Sequence, residues 1–305
     1  MPIRFVYSDR YEADIGAHVF PTSKYRLVRE KLVANGDALP SWFLEPPGIT
    51  RAELILAHTS EYIDDLERAA YTERTAMSEL PVNPSVIGAF RLAAGGSILA
   101  AECAWEDGAA VHLGGGLHHA FAGHAEGFCY VNDIAIAARA MQQQENGPAR
   151  VLVVDTDVHQ GNGTARIFQN DDSVFTFSIH QENNYPVKQR SDLDIGLADG
   201  IEDAEYLEAL GGGLEAIDAR FEPDLVIYVA GADPYREDQL GGLRLTLEGL
   251  RARDALALHR FGDRRIPVVV VFAGGYARRL DDTVHIHYQT CLEAIAVSRK
   301  RETEA

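Results

Sequence analysis

Two carboxylates and a histidine follow the pattern of a buried strand near the middle of the chain. Residues 151–163 read V-L-V-V-D-T-D-V-H-Q-G-N-G, so four apolar residues run directly into Asp155, Asp157 and His159. If the extended backbone continues through His159, side chains two residues apart share one face of the strand. Carboxylates and an imidazole at that spacing can bind a divalent metal and leave a coordination position open. A solvated polar turn closing a buried strand is the alternative interpretation.

Asp233, His118 and His119 also come directly after predicted strands. Asp233, in A-G-A-D-P-Y, is a candidate third metal ligand, although an Asp-Pro turn explains the same residues. The tandem histidines follow three glycines. Near a metal, such a pair provides a base for an attacking water and an acid for a leaving group. A single histidine is more often structural, but two on a glycine-rich loop favour function.

Two aromatic positions are candidates for the same site. Tyr276 follows two glycines and can donate its phenol hydrogen bond to a developing oxyanion. An aromatic plug at a turn is the alternative for this residue. Phe128, after Gly127, can form a wall beside the site, although core packing is an equally ordinary role for phenylalanine.

The order of these patterns predicts the fold class. Apolar runs interpreted as strands occupy residues 3–7, 109–113, 151–154, 174–179, 225–229 and 268–272. Segments with helical patterns occupy residues 26–33, 50–70, 84–105, 134–144, 203–221 and 246–261, and residues 40–49 are predicted to be loop. This alternation predicts a single-domain α/β protein with a mostly parallel sheet and helices on both faces. Ligands of such sheets gather beyond the carboxyl ends of the strands, so the candidate residues should converge.

Composition limits the class of partner. The chain has 305 residues and a formal charge of −18, which argues against nucleic-acid and anionic-membrane binding. The charge suits cationic substrates, and it equally suits simple solubility. Three scattered cysteines without a CxxC pair, no signal-peptide pattern and no long apolar run lead us to expect a cytoplasmic protein. We expect one domain over residues 1–297 and a charged tail over residues 298–305.

The motifs together resemble the histone deacetylase superfamily, which has the arginase/deacetylase fold. G-G-G-L-H-H-A, G-F-C-Y-V-N-D, D-T-D-V-H-Q-G-N-G-T, A-G-A-D-P-Y and A-G-G-Y occur in the order of that family. The resemblance extends from about His18 to the helix after Tyr276. The short chain and the early H-V-F-P-T-S-K-Y are similar to short bacterial members close to the class IV enzymes.

The resemblance implies roles for individual residues of this chain. It implies three zinc ligands, namely Asp157, His159 and Asp233. It implies a catalytic group, namely His118, His119, Tyr276, and Asp155 as the carboxylate that orients the first histidine. It implies a narrow acyl-lysine tunnel lined by Gly127, Phe128 and Gly274. It also implies a structural potassium site formed by Asp155, Asp157, His159, Ser178 and Ile179.

The sequence departs from the family pattern at three points. Asn162 stands where many members carry a second aspartate that supports the second histidine. An amide cannot stabilise an imidazolium as a carboxylate does, which favours His119 as the general base. Ala273 replaces a glycine before Gly274, and no residue matches the acidic rim position that holds the substrate backbone.

The expected activity is therefore that of a zinc-dependent deacetylase, with ferrous iron as an alternative metal. Its substrates are expected to be acetylated lysine in proteins or peptides, or an acylated polyamine or other small amine. One alternative is an arginase-like ureohydrolase with two metals, for which Gln160 and Asn162 are poor bridging ligands. Another is a non-catalytic protein that binds acylated amines. One metal per chain would count against the ureohydrolase, and two would favour it. Tight hydroxamate binding without acetate release would support the non-catalytic binder.

Overall fold

The computed structural model describes residues 3–303, and within that range the strands form one parallel sheet. The strands are β1 (Arg4–Val6), β2 (Phe43–Leu44), β3 (Ala109–His112), β4 (Val151–Asp155), β5 (Val174–Gln181), β6 (Leu193–Leu197), β7 (Leu225–Ala230) and β8 (Val268–Phe272). Their order across the sheet is β2-β1-β3-β8-β7-β4-β5-β6, and every neighbouring pair is parallel. This confirms the predicted fold class.

Two layers of helices cover the sheet. The helices are α1 (Lys24–Ala34), α2 (Arg51–Leu54), α3 (Ser60–Glu67), α4 (Glu73–Ala76), α5 (Pro84–Asp107), α6 (Asp133–Gln142), α7 (Asn162–Phe168), α8 (Asp203–Asp218), α9 (Leu247–Gly262) and α10 (Leu280–Thr303). One layer runs through contacts of α5 with α6 and of α6 with α7. The other runs from α1 through α10 and α9 to α8, and β3 contacts both α5 and α10.

The central strands are apolar because both faces of the sheet are covered. Every residue of β4 and of β8 is buried, and four of the five residues in β4 and all five in β8 are apolar. Continuous β-branched runs of this kind are typical of parallel strands between two helix layers. For the same reason these strands were the easiest elements to predict from the sequence.

Helix α5 is one of the two longest helices of the described residues and lies in the core. Asn83 caps its first turn by accepting a hydrogen bond from the backbone of Val86 at 3.0 Å, and Gly108 ends it in a left-handed conformation with φ of 89°. By length and composition this helix is apolar enough to cross a membrane, but 78% of the relevant window is buried inside the protein. It therefore fits a core helix of a globular fold.

Two expectations about secondary structure are wrong, and the sequence pattern did not predict β6 or α7. The predicted helix at 50–70 is two helices, because Thr59 caps α3 and its own N–H bonds the carbonyl of Ala122 at 2.8 Å. The predicted loop at 40–49 contains the two-residue strand β2 at the sheet edge. Strand β6 was missed because it is an edge strand with alternating burial and a polar Asp194. Helix α7, which begins at Asn162, was also missed.

The extended backbone predicted through His159 is also wrong, because β4 ends at Asp155. The side chain of Asp155 accepts the N–H of Asp157 at 3.1 Å, and Asp157 accepts the N–H of His159 at 3.0 Å. These local bonds replace the strand ladder and form a turn. The predicted tail at 298–305 continues α10 as far as Thr303, and residues 304 and 305 lie outside the described residues.

The break between α2 and α3 places His58 in the core, where we expect it to make stability depend on pH. Its Nδ1 lies 3.0 Å from the carbonyl of Phe121, and its Nε2 accepts the N–H of Asn132 at 2.9 Å. Burial lowers the pKa of His58 to about 4. The unfolded chain therefore binds this proton more readily, and stability is lost as pH falls from about 6.5 to 4.

The expected contribution of His58 is about 3 kcal/mol over that pH range, from about 1.4 kcal/mol per pKa unit. Urea unfolding of metal-free protein at pH 7.5 and pH 4.5 measures it. His58→Gln should be less stable at pH 7.5 and lose about 3 kcal/mol less than the wild type on acidification. Equal losses in the two proteins would show that His58 is not responsible.

Candidate metal centre

The candidate residues converge at the carboxyl ends of four adjacent central strands. The order β3-β8-β7-β4 places the tandem histidines, the tyrosine loop and both aspartate loops along one edge of the sheet. The chain reaches these strands in a different order, so residues far apart in sequence meet there. This is the edge at which α/β sheets bind ligands.

Asp157, His159 and Asp233 form a buried cluster with the geometry of a metal site. One ligand atom from each residue lies within 4.8 Å of the others. His159 Nδ1 lies 3.0 Å from Asp157 Oδ1 and 3.3 Å from Asp233 Oδ2. The second oxygen of each carboxylate is used elsewhere: Asp233 Oδ1 accepts the N–H of Val158 at 2.8 Å, and Asp157 Oδ2 accepts the N–H of Gly274 at 2.7 Å.

The chemistry of this cluster fits a divalent cation. Asp233 Oδ2 is buried without a hydrogen-bond partner, which is costly for a carboxylate. Burial and the neighbouring charge of Asp157 raise the pKa of Asp233. Burial alone would lower the pKa of His159, but the neighbouring carboxylates of Asp157 and Asp233 raise it to about 10. A divalent cation such as Zn²⁺ or Fe²⁺ would give Asp233 Oδ2 a partner and would neutralise the two neighbouring carboxylates.

Gly274 allows a close approach to this cluster. A side-chain carbon at this position would collide with the carboxylates of Asp233 and Asp157. The absence of a side chain therefore lets the backbone N–H reach Asp157. The geometry therefore requires glycine at position 274. The predicted contact of Gly274 with substrate in the tunnel stays a prediction.

The tandem histidines form a polarised pair beside the cluster. His118 Nδ1 lies 2.7 Å from Asp155 Oδ2, and His118 Nε2 lies 3.1 Å from His119 Nε2. Burial opposes a charge on His118, but Asp155 and Asp157 outweigh it and raise the pKa of His118 to about 9. Burial and the charges of the other two histidines lower the pKa of His119. His118 is thus the protonated donor and His119 the neutral acceptor.

Asn162 lies behind His119, at the start of α7. Its Oδ1 lies 2.8 Å from His119 Nδ1 and also accepts the N–H of Gly163 at 3.0 Å. Its Nδ2 donates to Glu126 Oε1 at 2.7 Å. Asn162 therefore occupies the place predicted for it, and a carboxylate that the sequence did not reveal stands behind it.

Tyr276 lines the cavity together with His119 and His159, and its backbone and ring are both held by contacts. Its backbone N–H bonds Asp238 Oδ2 at 2.7 Å, and its ring contacts those of Phe128 and Phe20 at centroid distances of 5.9 and 6.3 Å. Burial, followed by the charges of Asp157 and Asp233, raises the pKa of the Tyr276 phenol well above 10. The hydroxyl therefore stays protonated and able to donate.

A cavity of about 200 Å³ leads from the surface to these residues. Phe128 and Tyr185 contribute aromatic rings to its wall, and exposed Glu79 lies at its mouth. The Tyr185 ring lies 5.3 Å from that of His119. Gly127 and Phe128 both have positive φ, at 49° and 63°, so this turn holds Phe128 in a conformation rare for a bulky residue. Their predicted location beside the site is thus the one observed.

Two buried charged groups hold the loops of the site. Arg253 Nη1 donates to the carbonyls of Gly231 at 2.6 Å and Thr156 at 3.2 Å, and thereby joins the two loops that carry the aspartates. Asp133 accepts the N–H groups of Gly116 and Leu117 at 3.1 and 2.7 Å, just before the tandem histidines. Neither residue contacts the cavity, so both act through the backbone.

The residues expected to bind potassium lie on adjacent strands. Asp155, at the end of β4, pairs in register with Ser178 on β5, and Ile179 follows it. Asp157 and His159 lie in the turn after β4. Potassium binding itself stays a prediction.

The proposed bridging positions of a two-metal site are occupied by other contacts. Gln160 Nε2 donates to Gln189 and Asp194, both at 2.7 Å, and Asn162 faces His119 and Glu126. Within residues 3–303, Asp157, His159 and Asp233 form the one group of potential ligands with metal-binding spacing. The arginase-like alternative is therefore disfavoured.

Several residues of the site were not predicted, namely Glu79, Glu126, Tyr185, Asp238 and Arg253. Most belong to loops, and their partners in the site are far from them in the sequence. The sequence contained a signal for one of these residues, Tyr185. Tyr185 and Pro186 follow β5 closely, at the same edge of the sheet as the other site loops.

Comparisons with known proteins agree with this geometry. The family model of the histone deacetylase domain matches residues 18–291. An uncharacterized protein of Picosynechococcus sp. is 43% identical over 88% of this chain and 90% of its own length. Histone deacetylase 2 of Arabidopsis thaliana is 31% identical over 90% of this chain and 75% of its own.

A solved structure shares the fold. The crystal structure of an HDAC homolog complexed with SAHA superposes with a TM-score of 0.83 at 24% identity, over 96% of this chain and 84% of that one. At this identity the likeness concerns the fold alone. Together with the domain match over nearly the whole length, it supports one conclusion: the chain belongs to the histone deacetylase family.

Proposed function

We propose that this deacetylase-family chain is a metal-dependent amidohydrolase, with zinc as the preferred metal and ferrous iron as an alternative. The observation that carries the proposal is the buried group of Asp157, His159 and Asp233, in which Asp233 Oδ2 lacks a hydrogen-bond partner. When bound by these residues, a divalent cation supplies Lewis-acid polarisation of an acyl carbonyl and lowers the pKa of water.

The hydrogen-bond pattern assigns opposite roles to the two histidines. His119 has Asn162 Oδ1 at its Nδ1, so Nδ1 carries the hydrogen, and Nε2, which faces His118, has the lone pair that accepts a proton from the attacking water. His118, with Asp155 at Nδ1, presents Nε2–H and can protonate the leaving amine. Products are a free amine and a carboxylate.

Tyr276 supplies a hydrogen bond to the oxygen that becomes negative during the attack. Its ring borders the cavity, and its phenol keeps its proton because of burial. A donor in a dry site of this kind stabilises the tetrahedral oxyanion more than the planar amide.

The shape and charge of the cavity favour an acylated amine on a long aliphatic stem. Aromatic walls at Phe128 and Tyr185 suit methylene groups, and the Glu79 carboxylate at the mouth suits a cationic substrate. Acetyl-lysine in a basic peptide has these properties, and so does an acetylated polyamine. We place acetyl-lysine first, because the exposed cavity residues Glu79 and Tyr185 can contact the residues that flank a lysine in a peptide.

Acetate release by zinc-loaded protein tests the proposal. An acetyl-lysine peptide and an N-acetylated polyamine are compared at equal concentration, with a chelator-treated sample as the metal-free control. We expect turnover of the peptide that disappears in the chelated sample and returns with zinc. Turnover of the polyamine alone would keep the reaction and change the substrate class. No acetate from either, with tight hydroxamate binding, would contradict the catalytic proposal.

A further inference from the structure

We propose that Glu126 is a positioning residue that acts through Asn162 to fix the orientation of the His119 base. The inference rests on the proposed function, because it assigns Glu126 to the proton-accepting step of that reaction. It adds a carboxylate to the arrangement expected from the sequence, in which the amide alone favours His119 as the general base.

The side-chain amide of an asparagine can be placed in two orientations. Asn162 can face His119 with either its oxygen or its NH₂ group, and the two ends are nearly equal in size. The oxygen selects the form of His119 with hydrogen on Nδ1. The NH₂ group selects the form with hydrogen on Nε2, which cannot accept a proton from water. A wrong histidine tautomer is severely damaging in acid-base catalysis.

Glu126 resolves this ambiguity because an ionised carboxylate only accepts hydrogen bonds. Asn162 Nδ2 lies 2.7 Å from Glu126 Oε1, so the NH₂ group must point toward Glu126 and the oxygen toward His119. The N–H of Gly163 favours the same orientation, at 3.0 Å from Asn162 Oδ1. His119 Nδ1 therefore donates to the Asn162 oxygen, and the Asn162 NH₂ group donates to the Glu126 carboxylate.

The surroundings of Glu126 hold it ionised and in place. Its side chain is 17% exposed, and Tyr185 donates its hydroxyl to Oε1 at 3.2 Å. His124 Nε2 lies 3.6 Å from Oε2. Burial raises the pKa of Glu126, but hydrogen bonds from His124, Asn162 and Tyr185 outweigh burial and lower it.

The backbone of Glu126 also belongs to the turn that carries the cavity wall. Its N–H and carbonyl both bond Cys129, at 3.1 and 2.8 Å, around Gly127 and Phe128. The rigid turn thus aims the carboxylate at the buried Asn162 from the side opposite to His119. Both the backbone bonds to Cys129 and the side-chain bond to Asn162 therefore restrict the position of the Glu126 carboxylate.

Four variants separate positioning from general structural support. Glu126→Ala should lower kcat at least tenfold with KM within about threefold, because the amide loses the partner that orients it. Glu126→Gln should recover most of kcat, since its carbonyl oxygen still accepts from Asn162. Asn162→Asp should lower kcat by bringing two carboxylates together. In the double variant Asn162→Asp/Glu126→Gln, the amide donor lies on residue 126 and the carboxylate acceptor on residue 162. This variant should recover at least half of the logarithmic loss in kcat seen in Asn162→Asp alone.

Two controls account for other effects of these changes. Tyr185→Phe removes the second hydrogen bond to Glu126 while keeping the ring in the cavity wall, and measures how much of any change in kcat or KM comes from the loss of that hydrogen bond alone. Glu145→Ala changes an exposed glutamate on the loop after α6 and should leave kcat and KM unchanged. Thermal unfolding of each variant identifies any that fail to fold.

The tautomer of His119 provides a test that does not depend on turnover. Nitrogen-15 NMR of imidazole-labelled protein should show hydrogen on Nδ1 in the wild type and in Glu126→Gln, and a mixture or the Nε2 form in Glu126→Ala. Wild-type tautomer and wild-type kcat in Glu126→Ala would overturn the proposal. Absence of acetate release by the wild type, with the expected tautomer change, would contradict the proposed function and leave the positioning role standing.

Discussion

Asp233→Asn is expected to abolish acetate release and to weaken zinc binding by roughly a thousand-fold or more. The carboxylate offers Oδ2 as an anionic ligand that has no hydrogen-bond partner in the protein. Asparagine replaces one oxygen by an NH₂ group and removes the charge. Its remaining oxygen can still accept the N–H of Val158, so the loop should keep its conformation. The change therefore removes a ligand without removing a structural contact.

Zinc content and stability provide the readouts for Asp233→Asn. Without metal, the buried carboxylates of Asp157 and Asp233 repel each other. We therefore expect metal-free Asp233→Asn to unfold at the same temperature as metal-free wild type, or higher. Added zinc should raise the unfolding temperature of the wild type and much less that of the variant. Exposed Asp172, changed to asparagine, is the matched control. One zinc per chain together with acetate release in Asp233→Asn would exclude this ligand set.

The sheet was predictable because its central strands are continuous apolar runs. β4 and β8 lie between two helix layers, so no polar residue interrupts them before Asp155, the last residue of β4. Edge strands lack this signal. β6 alternates buried and exposed residues around Asp194, and β2 contains only two residues in a proline-rich segment. Their place is determined by pairing with a neighbour, which a local pattern does not show.

The position of the candidate metal-ligand cluster is predictable, although the extended backbone expected through His159 is wrong. The spacing of Asp155, Asp157 and His159 brings their side chains together through turns closed by the aspartate side chains. Convergence with Asp233 followed from sheet topology. These residues lie within motifs, where a few neighbours in sequence determine the local geometry.

Residues that support the site from other loops were not predictable in the same way. Glu126 reaches Asn162 over 36 positions, and Arg253 reaches Thr156 over 97. Nothing in the local sequence distinguishes such a glutamate from a solvated one, or such an arginine from a surface residue. Only the packing of α7 and α9 against the sheet brings these partners together.

Tyr276→Phe is expected to lower kcat by about 10²- to 10³-fold while KM stays within about threefold. The substitution removes a single hydroxyl and preserves the ring that packs against Phe20 and Phe128. Asp238 holds the backbone N–H of residue 276, which phenylalanine retains. Substrate entry and metal binding should therefore be little affected, so the loss is confined to the step in which negative charge develops on the acyl oxygen.

Steady-state kinetics with an acetyl-lysine peptide measures this effect, and zinc content confirms that the metal is retained. Tyr71→Phe makes the same chemical change at a residue that is 81% exposed, and it should match the wild type. A rise in KM without a fall in kcat would assign Tyr276 to the cavity wall instead. Unchanged kinetics would remove the oxyanion role altogether, because a donor that acts only in the transition state must appear in kcat when its hydroxyl is lost.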